Sequence, residues 1–316
     1  MEPDVEDFLL NQGKAISASG FLPKRDFKPG TQVSIIGAGA LMLAGMNASA
    51  VDRLVDESLE LGVDYFDCAP TYGNGDAEEK LGHALRGRRD CIFLTCKTLE
   101  RTAAGAQADL EGSLRRLGTD RIDLYQFHAV NRVDDMNRIL GPGGAMETFR
   151  RARDRGWIRW IGFSSHSVPI ALALMERFPF DSILFPVNYV CWARGNFGPQ
   201  VLDKARSLGI ARIAVKSLAC RPWRSGEERK YPNCWYRPID EPETVFQAMR
   251  FTLAQDVCAL FPPADARLYR MALSLAQKLT PLSPEECKTL FESARSLKPI
   301  LAAPRERKPP AGSADI

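Results

Sequence analysis

The chain has 316 residues, and its 42 basic and 39 acidic side chains leave a formal net charge of +3, so it carries no electrostatic footprint for nucleic acid or an anionic membrane. That length holds one large domain or two ordinary ones, and α/β barrels of roughly 250 residues fold as a single unit. No apolar run is long enough to span a bilayer, and the acidic start Met1-Glu2-Pro3-Asp4 lacks the basic-then-apolar pattern of a secretory signal. Eight cysteines without a Cys-x-x-Cys pair, several inside apolar runs, read as buried free thiols in a reducing compartment. A cytoplasmic protein is expected.

Residues 1–20 show weak periodicity and read as an N-terminal extension. From Phe21 the pattern sharpens. Leu22 to Phe27 and Gln32 to Ile36 flank Pro29-Gly30, a dipeptide suited to the two central positions of a type II turn, so a hairpin is expected. Next comes Gly37-Ala38-Gly39-Ala40-Leu41-Met42. It resembles a dinucleotide-binding Gly-x-Gly-x-x-Gly, but Met42 stands where the third glycine is needed for close helix packing. Ser49-Ala50-Val51-Asp52 reads as a capping box that starts the helix late, near Ala50. The segment is therefore read as a first barrel strand, near residue 35, with Gly39 permitting close approach of a ligand.

The alternation continues without a compositional break. Helices are expected over about 50–61, 76–86, 105–117, 144–155, 168–177, 199–208, 242–255 and 265–279, and strands over 63–67, 91–96, 121–127, 158–163, 182–187, 210–216 and 257–261. Strands that alternate with helices of this length imply parallel pairing, and eight such units imply closure into a (β/α)8 TIM barrel over 21–280. The arginines at 150, 151, 153, 155 and 159 are interleaved with Glu147 and Asp154 and read as a solvated face. Residues 281–316 are expected to add one C-terminal helix, about 284–296, and a Pro-rich disordered tail.

Three successive strands end in reactive groups. Val63 to Asp67 leads into a loop that carries Tyr72, Cys91 to Cys96 runs into Lys97, and Ile122 to Phe127 runs into His128. Barrels keep their chemistry at the C-terminal ends of their strands, so Asp67, Tyr72, Lys97 and His128 should share one rim. Each alone has a plain reading: a packed tyrosine, a solvated lysine, a turn-capping aspartate, a rim histidine. Together they suit carbonyl reduction. Tyr72 would give the proton, Lys97 would lower the phenol's pKa, Asp67 would hold Lys97 charged, and His128 would donate to the oxyanion. The hydride must come from a nicotinamide cofactor, because no side chain supplies one. The three histidines, His83, His128 and His166, have no ligand spacing, so no metal is expected.

At these residues the sequence resembles the aldo-keto reductase superfamily, from Phe21 to about Leu290. Asp67, Tyr72-Gly73, Lys97 and His128 match the family's catalytic positions on the second to fourth strands of its (β/α)8 barrel, and Glu78-Glu79-Lys80-Leu81-Gly82 matches the helix that follows. The hairpin is similar to the one that closes the barrel bottom in this family. Ile139 to Ala145 and Gly156 to Ser167 look like a divergent bacterial branch, some of whose members hold iron–sulfur centres on a C-terminal cysteine cluster; Cys287 stands alone, so no such centre is expected.

The resemblance implies NADP, with NAD as the alternative, and a small carbonyl substrate. It places Ser164 where the family's serine holds the nicotinamide carboxamide and Ser165 where many members have asparagine, and it implies Asn188 and Lys216, the residue after Val215, as further cofactor residues. Leu184 replaces a common glutamine and Val215 a common aromatic. Asp265 stands where the 2′-phosphate is usually met, so Arg267 or Arg270 would have to hold that group. The aromatic and basic segment 219–240 reads either as a clamp over the site or as a packed lid. The leading expectation is an NAD(P)H-dependent oxidoreductase acting on an aldehyde or ketone. A cofactor-binding regulatory or redox-sensing subunit is the alternative, kept open by Leu184, Val215 and Asp265.

Overall fold

The computed structural model describes residues 21–304; the expected extension over 1–20 and the end of the tail lie outside the described residues. An antiparallel hairpin, β1 (Lys24–Lys28) with β2 (Thr31–Ser34), precedes the barrel. The barrel strands are β3 (Ala38–Gly39), β4 (Tyr65–Asp67), β5 (Phe93–Thr98), β6 (Ile122–Phe127), β7 (Ile158–Ser164), β8 (Ser182–Pro186), β9 (Ala211–Val215) and β12 (Ala259–Phe261). They form one parallel sheet in that order. Between Ile36 and Leu260 a bridge joins its edges, with the Gly37 N–H donating to Leu260 O and the Leu260 N–H to Ile35 O, each 2.9 Å. The result is a (β/α)8 barrel.

Strand residues alternate between two cores, as a pleated strand requires. Tyr65, Phe93, Leu124, Leu184, Ile213 and Phe261 fill the interior, and Phe27 and Val33 of the hairpin join this cluster and plug the barrel's bottom. Phe66, Cys96, Tyr125, Ile161, Phe185 and Leu260 belong to the larger outer core, against the helices. The interior admits no Cβ at Gly37, because one built there would overlap the Phe261 ring. Gly37→Ala should therefore cost about 1–3 kcal/mol, the usual range for overpacking. Urea unfolding checks this, and Phe261→Leu in the same chain should recover part of the loss. An unshifted midpoint for Gly37→Ala would contradict it.

The helices are α1 (Ala48–Glu60), α2 (Asp76–Ala84), α3 (Ala103–Leu117), α4 (Val133–Leu140), α5 (Ala145–Asp154), α6 (Val168–Arg177), α7 (Tyr189–Gly195), α8 (Pro199–Ser207), α9 (Pro242–Ala254), α10 (Ala266–Ala276) and α11 (Pro284–Ala294). None of the described helices is long and apolar enough to cross a membrane. The last is fixed by Ser283 and Glu286 in a capping box and by Arg250, whose guanidinium meets both Glu286 oxygens at 2.6 and 2.7 Å.

Several details differ from the sequence reading. The first barrel strand is only Ala38–Gly39. Residues near 35 instead span the seam to Leu260 and the end of the hairpin. Helix α1 is capped not by Ser49 but by Asn47, whose side chain accepts from the Ala50 N–H, while the Ser49 hydroxyl donates to Asn47. Helices α4 and α7 follow β6 and β8 where loops were expected. Within 219–240 a second hairpin forms, β10 (Ala219–Pro222) with β11 (Tyr236–Pro238).

Candidate active site

Asp67 ends β4 with Thr95 of β5 and Gly39 of β3 as its register partners, which sets its carboxylate at the C-terminal rim. Lys97 lies on β5 and reaches it: the two form a buried ion pair, with side chains 1% and 8% exposed. The ammonium also donates to Cys68 O at 3.0 Å. Tyr72 opens a 3₁₀ turn, Tyr72–Gly75, in which Gly73, Asn74 and Gly75 are all left-handed at φ 61°, 53° and 93°. A Cβ at Gly73 would meet the Ala44 side chain at 3.1 Å, so both the left-handed backbone and the tight space explain why glycine follows this tyrosine. The turn folds the half-buried phenol back over the barrel mouth. Its ring centroid stands 5.0 Å from Lys97 Nζ and 6.1 Å from the His128 ring, which it meets edge-on at 90°.

The electrostatics depart from expectation at one point. Burial pushes the Tyr72 phenol up, and Lys97 offsets only part of this, so its pKa is about 12 rather than lowered. The reason is geometric: Asp67 neutralises Lys97 at contact distance, which weakens its pull on a desolvated ring. Burial opposes the Lys97 charge, but Asp67 and Tyr72 outweigh it and hold the ammonium above its ordinary value. Tyr72 is thus a protonated acid beside a permanent cation.

His128 is anchored through its backbone, its N–H donating to Thr98 O at 2.8 Å and its carbonyl accepting from Arg101 at 2.8 Å. Nδ1 of its ring is buried without a partner. Burial, then Lys97 and His166, lower its pKa to about 3, and burial with Lys216 lowers that of His166 to about 4. Both imidazoles are neutral at physiological pH. An unfolded chain accepts protons on these rings near pH 6.5 while the native state refuses them, so stability should fall as pH drops from about 6.5 toward about 4, with at most about 1.4 kcal/mol per pH unit from each ring. Urea midpoints across that range measure the slope. His128→Gln should flatten it, and an unchanged slope would contradict this assignment.

The expected cofactor residues fall into two groups. Ser164 ends β7, its hydroxyl oxygen accepting from the Ala129 N–H at 2.8 Å and its own hydrogen remaining to be donated. On the neighbouring strand end, Asn188 accepts from Cys191 N at 2.9 Å to cap α7, and its buried Nδ2 has no partner. A donor pair of this kind, one of them orphaned in a buried site, fits a nicotinamide carboxamide. Ser165 turns away, its hydroxyl 3.3 Å from both Asn131 Oδ1 and Ser167 O. Gly39 ends β3 at the same rim; a Cβ there would meet Phe261 only at 3.8 Å, so packing does not demand glycine. Leu184 and Val215 belong to the interior cluster beneath the mouth.

The second group lies on α10. Asp265 caps this helix and pairs with Arg267 at 2.8 Å, and Arg270 pairs with Glu57 at 2.7 Å. The negative charge of Asp265 is therefore already matched, and both exposed arginines hold carboxylates that an arriving phosphate would have to displace. Lys216 follows β9, the strand paired with β12, and lies against the rings of Trp235 and Tyr236 at 5.6 and 5.4 Å.

The 219–240 segment is packed, and many of its charges are paired within it. Arg221 pairs with Glu227, Arg237 with Asp240, and Lys230 with Asp240, while Tyr231 and Cys234 pack with Leu268 over Trp223. Two contributors were not found by reading the sequence. Cys68 acts through its carbonyl, which no side chain announces. Asn131 accepts from the His166 N–H at 2.6 Å and so shapes the loop after β7; a lone asparagine past a strand gives no signal of this.

Comparison with known proteins gives a consistent result. A family model described as aldo/keto reductase family matches residues 35–274. Aldo-keto reductase YhdN of Bacillus subtilis is 31% identical over 215 residues, 63% of this chain and 62% of its own. A Schizosaccharomyces pombe protein described as NAD/NADP-dependent indole-3-acetaldehyde reductase is 33% identical over 167 residues, 52% of this chain and 53% of its own. The chain thus spans less than two thirds of the length of either relative. Among solved structures, the holo form of aldo-keto reductase AKR11C1 from Bacillus halodurans superposes with a TM-score of 0.68 at 26% identity, covering 87% of this chain and 97% of that one.

Proposed function

The chain belongs to the aldo/keto reductase family, and from that premise we propose that it reduces the carbonyl of a small aldehyde or ketone at the expense of a reduced nicotinamide dinucleotide, or runs the reverse oxidation. The observation that carries this reading is the convergence of Tyr72, Lys97, Asp67 and His128 at one rim. When bound, the dinucleotide supplies the hydride. The chain's own residues do the rest. Tyr72 gives its phenolic proton to the carbonyl oxygen as negative charge develops there, and Lys97 stabilises the phenolate left behind. Asp67 keeps Lys97 charged and in place. The neutral His128 ring donates to the same oxygen, fixing the carbonyl's orientation in a site where water is largely excluded.

Ser164 and Asn188 would hold the carboxamide, with Ser165 bracing the loop between them, and Gly39 leaves space for close approach on the first strand. Arg267 and Arg270, one turn apart on α10, would take the 2′-phosphate of NADP. The fission-yeast relative is described as using either dinucleotide. Six buried free thiols, Cys68, Cys96, Cys191, Cys234, Cys258 and Cys287, support a reducing, cytoplasmic setting. The test is to follow loss of reduced-nicotinamide absorbance with NADPH and then NADH against a panel of aldehydes and ketones. Turnover with at least one aldehyde, faster with NADPH, is expected. No consumption of either dinucleotide with any carbonyl would overturn the proposal.

A further inference from the structure

Two acidic side chains are buried among the described residues, Asp67 and Glu78. Asp67 belongs to the rim; the proposed chemistry leaves Glu78 without a task. A carboxylate taken out of water is tolerated only when it is paired and hydrogen-bonded. Glu78, 0% exposed, meets both conditions: Arg116 Nε donates to Oε2 at 2.6 Å, and the Cys96 thiol donates to Oε1 at 3.3 Å. These contacts join three elements beside the site. Glu78 lies in the first turn of α2, directly after the Tyr72 turn; Arg116 lies in the last turn of α3; Cys96 precedes Lys97 on β5.

Arg116 does more than pair. Its side chain crosses from α3 to α2 against the Tyr72 turn, and two glycines make way for it. A Cβ at Gly75, the last residue of that turn, would stand 2.9 Å from its Cδ and 3.0 Å from its Nε, and one at Gly112 would stand 3.0 Å from Nη1. The turn also packs on the loop before α1, through Ala44 at Gly73 and through the Gly45 N–H, which donates to Asp76 at 3.1 Å. Its three left-handed residues belong to no regular ladder, and no side chain caps α2 at Gly75. At the Gly75 end, the packing that holds the turn is Arg116. Resting on the reading of Tyr72 as the acid, we propose that Arg116 is a positioning residue for it: held on buried Glu78, its side chain backs the turn at Gly75 and so sets where the phenol meets the carbonyl oxygen. The ion pair matters because an untethered arginine samples many rotamers. A reacting group displaced by about 1 Å loses on the order of 10²-fold in rate, even when the change lies away from the reacting atoms.

The experiment follows single-turnover oxidation of NADPH by 4-formylbenzamide in the full-length protein, for Arg116→Ala with and without Tyr72→Phe. With Tyr72 present, Arg116→Ala should slow hydride transfer by about 10- to 100-fold, while the KM for the aldehyde and the affinity for NADPH stay within about twofold. With Tyr72→Phe present, the same substitution should change the remaining rate by less than about twofold, because residues that act through one group are not additive. Arg116→Lys, which keeps the charge and most of the stem, should recover most of the rate. Since Arg116→Ala strands the Glu78 carboxylate, Glu78→Gln is added to it: urea midpoints should recover in part while the slow rate persists. Equal losses in both backgrounds would mark a strut with no bearing on the phenol and overturn the proposal. So would an unslowed Arg116→Ala, or a regained rate when Glu78→Gln is added. If Tyr72→Phe alone leaves the rate unchanged, the general-acid reading falls and this inference with it. If Tyr72→Phe is slow and Arg116→Ala is not, the inference alone is lost.

Discussion

Tyr72→Phe should cut turnover by about 10²–10⁴-fold, the range for removing a general acid, while leaving cofactor affinity within a factor of about two. The substitution deletes one hydroxyl and keeps the ring, so the left-handed turn at Gly73 to Gly75 and the edge-on contact with His128 persist. What is lost is the phenolic proton that the proposed mechanism delivers to the carbonyl, from a ring 5.0 Å from the Lys97 ammonium. The phenol, pushed up to about 12 by burial, sharpens the expectation: under the proposed mechanism Tyr72 would hold its proton until the carbonyl oxygen acquires charge, and Lys97 would stabilise the phenolate then formed. Steady-state rates and a nicotinamide fluorescence titration on the same preparation separate the two effects. An unaltered rate would remove Tyr72 from its role.

Lys97→Met should cost roughly 3–5 kcal/mol of stability as well as most of the activity. The pair it breaks is buried on both sides, and Asp67 Oδ1 already lacks a partner. Removing the ammonium strands a carboxylate where water cannot reach it, the situation in which losing one member of a buried pair is most damaging. Asp67→Asn added to Lys97→Met removes the stranded charge and should restore much of the stability without restoring turnover. Denaturant midpoints and rates on both variants test this. If the double variant is no more stable than the single one, the cost did not come from an unpaired charge; if it regains activity, Lys97 was not needed for the chemistry.

The four residues proposed for catalysis are legible as candidates because the chemistry of a barrel lies at its strand ends, and Asp67, Lys97 and His128 each close an apolar run that reads as a strand. Tyr72 was legible through its neighbours, a proline and glycines that mark a loop. The eightfold alternation came through for a similar reason: parallel strands covered on both faces are almost wholly apolar, while the helices between them carry their charges outward. The first strand begins three residues later than expected: Ile35 and Ile36 are as apolar as a strand, but the Ile35 N–H donates to Pro23 O and its carbonyl accepts from Leu260 at the seam, while the Ile36 carbonyl accepts from the Ser34 hydroxyl. Helices α4 and α7 escape the sequence pattern because they have only 8 and 7 residues, too few to show a helical period, and Arg132 makes no side-chain cap for α4; Asn188, which caps α7, is the one start signal the sequence offers.

The second hairpin was hidden by distance and by charge. Its arms are four and three residues long, and the arginine on each reads as basic surface, whereas in the fold Arg221 pairs with Glu227 and Arg237 with Asp240. The sign of the Tyr72 shift was equally out of reach, because it depends on how far burial outweighs a neighbouring charge that Asp67 already matches. Lys216 illustrates the same limit from the other side. Its sequence context shows a lysine after a strand, and only the fold shows that, among the described residues, it meets the rings of Trp235 and Tyr236 and pairs with no carboxylate.

The most direct test of the account uses NADPH deuterated at C4 of the nicotinamide, incubated with the full-length protein and 4-formylbenzamide, with the product read by mass spectrometry and NMR. Hydride transfer within the site places deuterium on the carbinol carbon of the alcohol, and Tyr72→Phe should slow its appearance in step with turnover. Tight NADPH binding with no deuterated alcohol from this or any other carbonyl would contradict the account and leave the barrel as a cofactor-binding regulatory subunit.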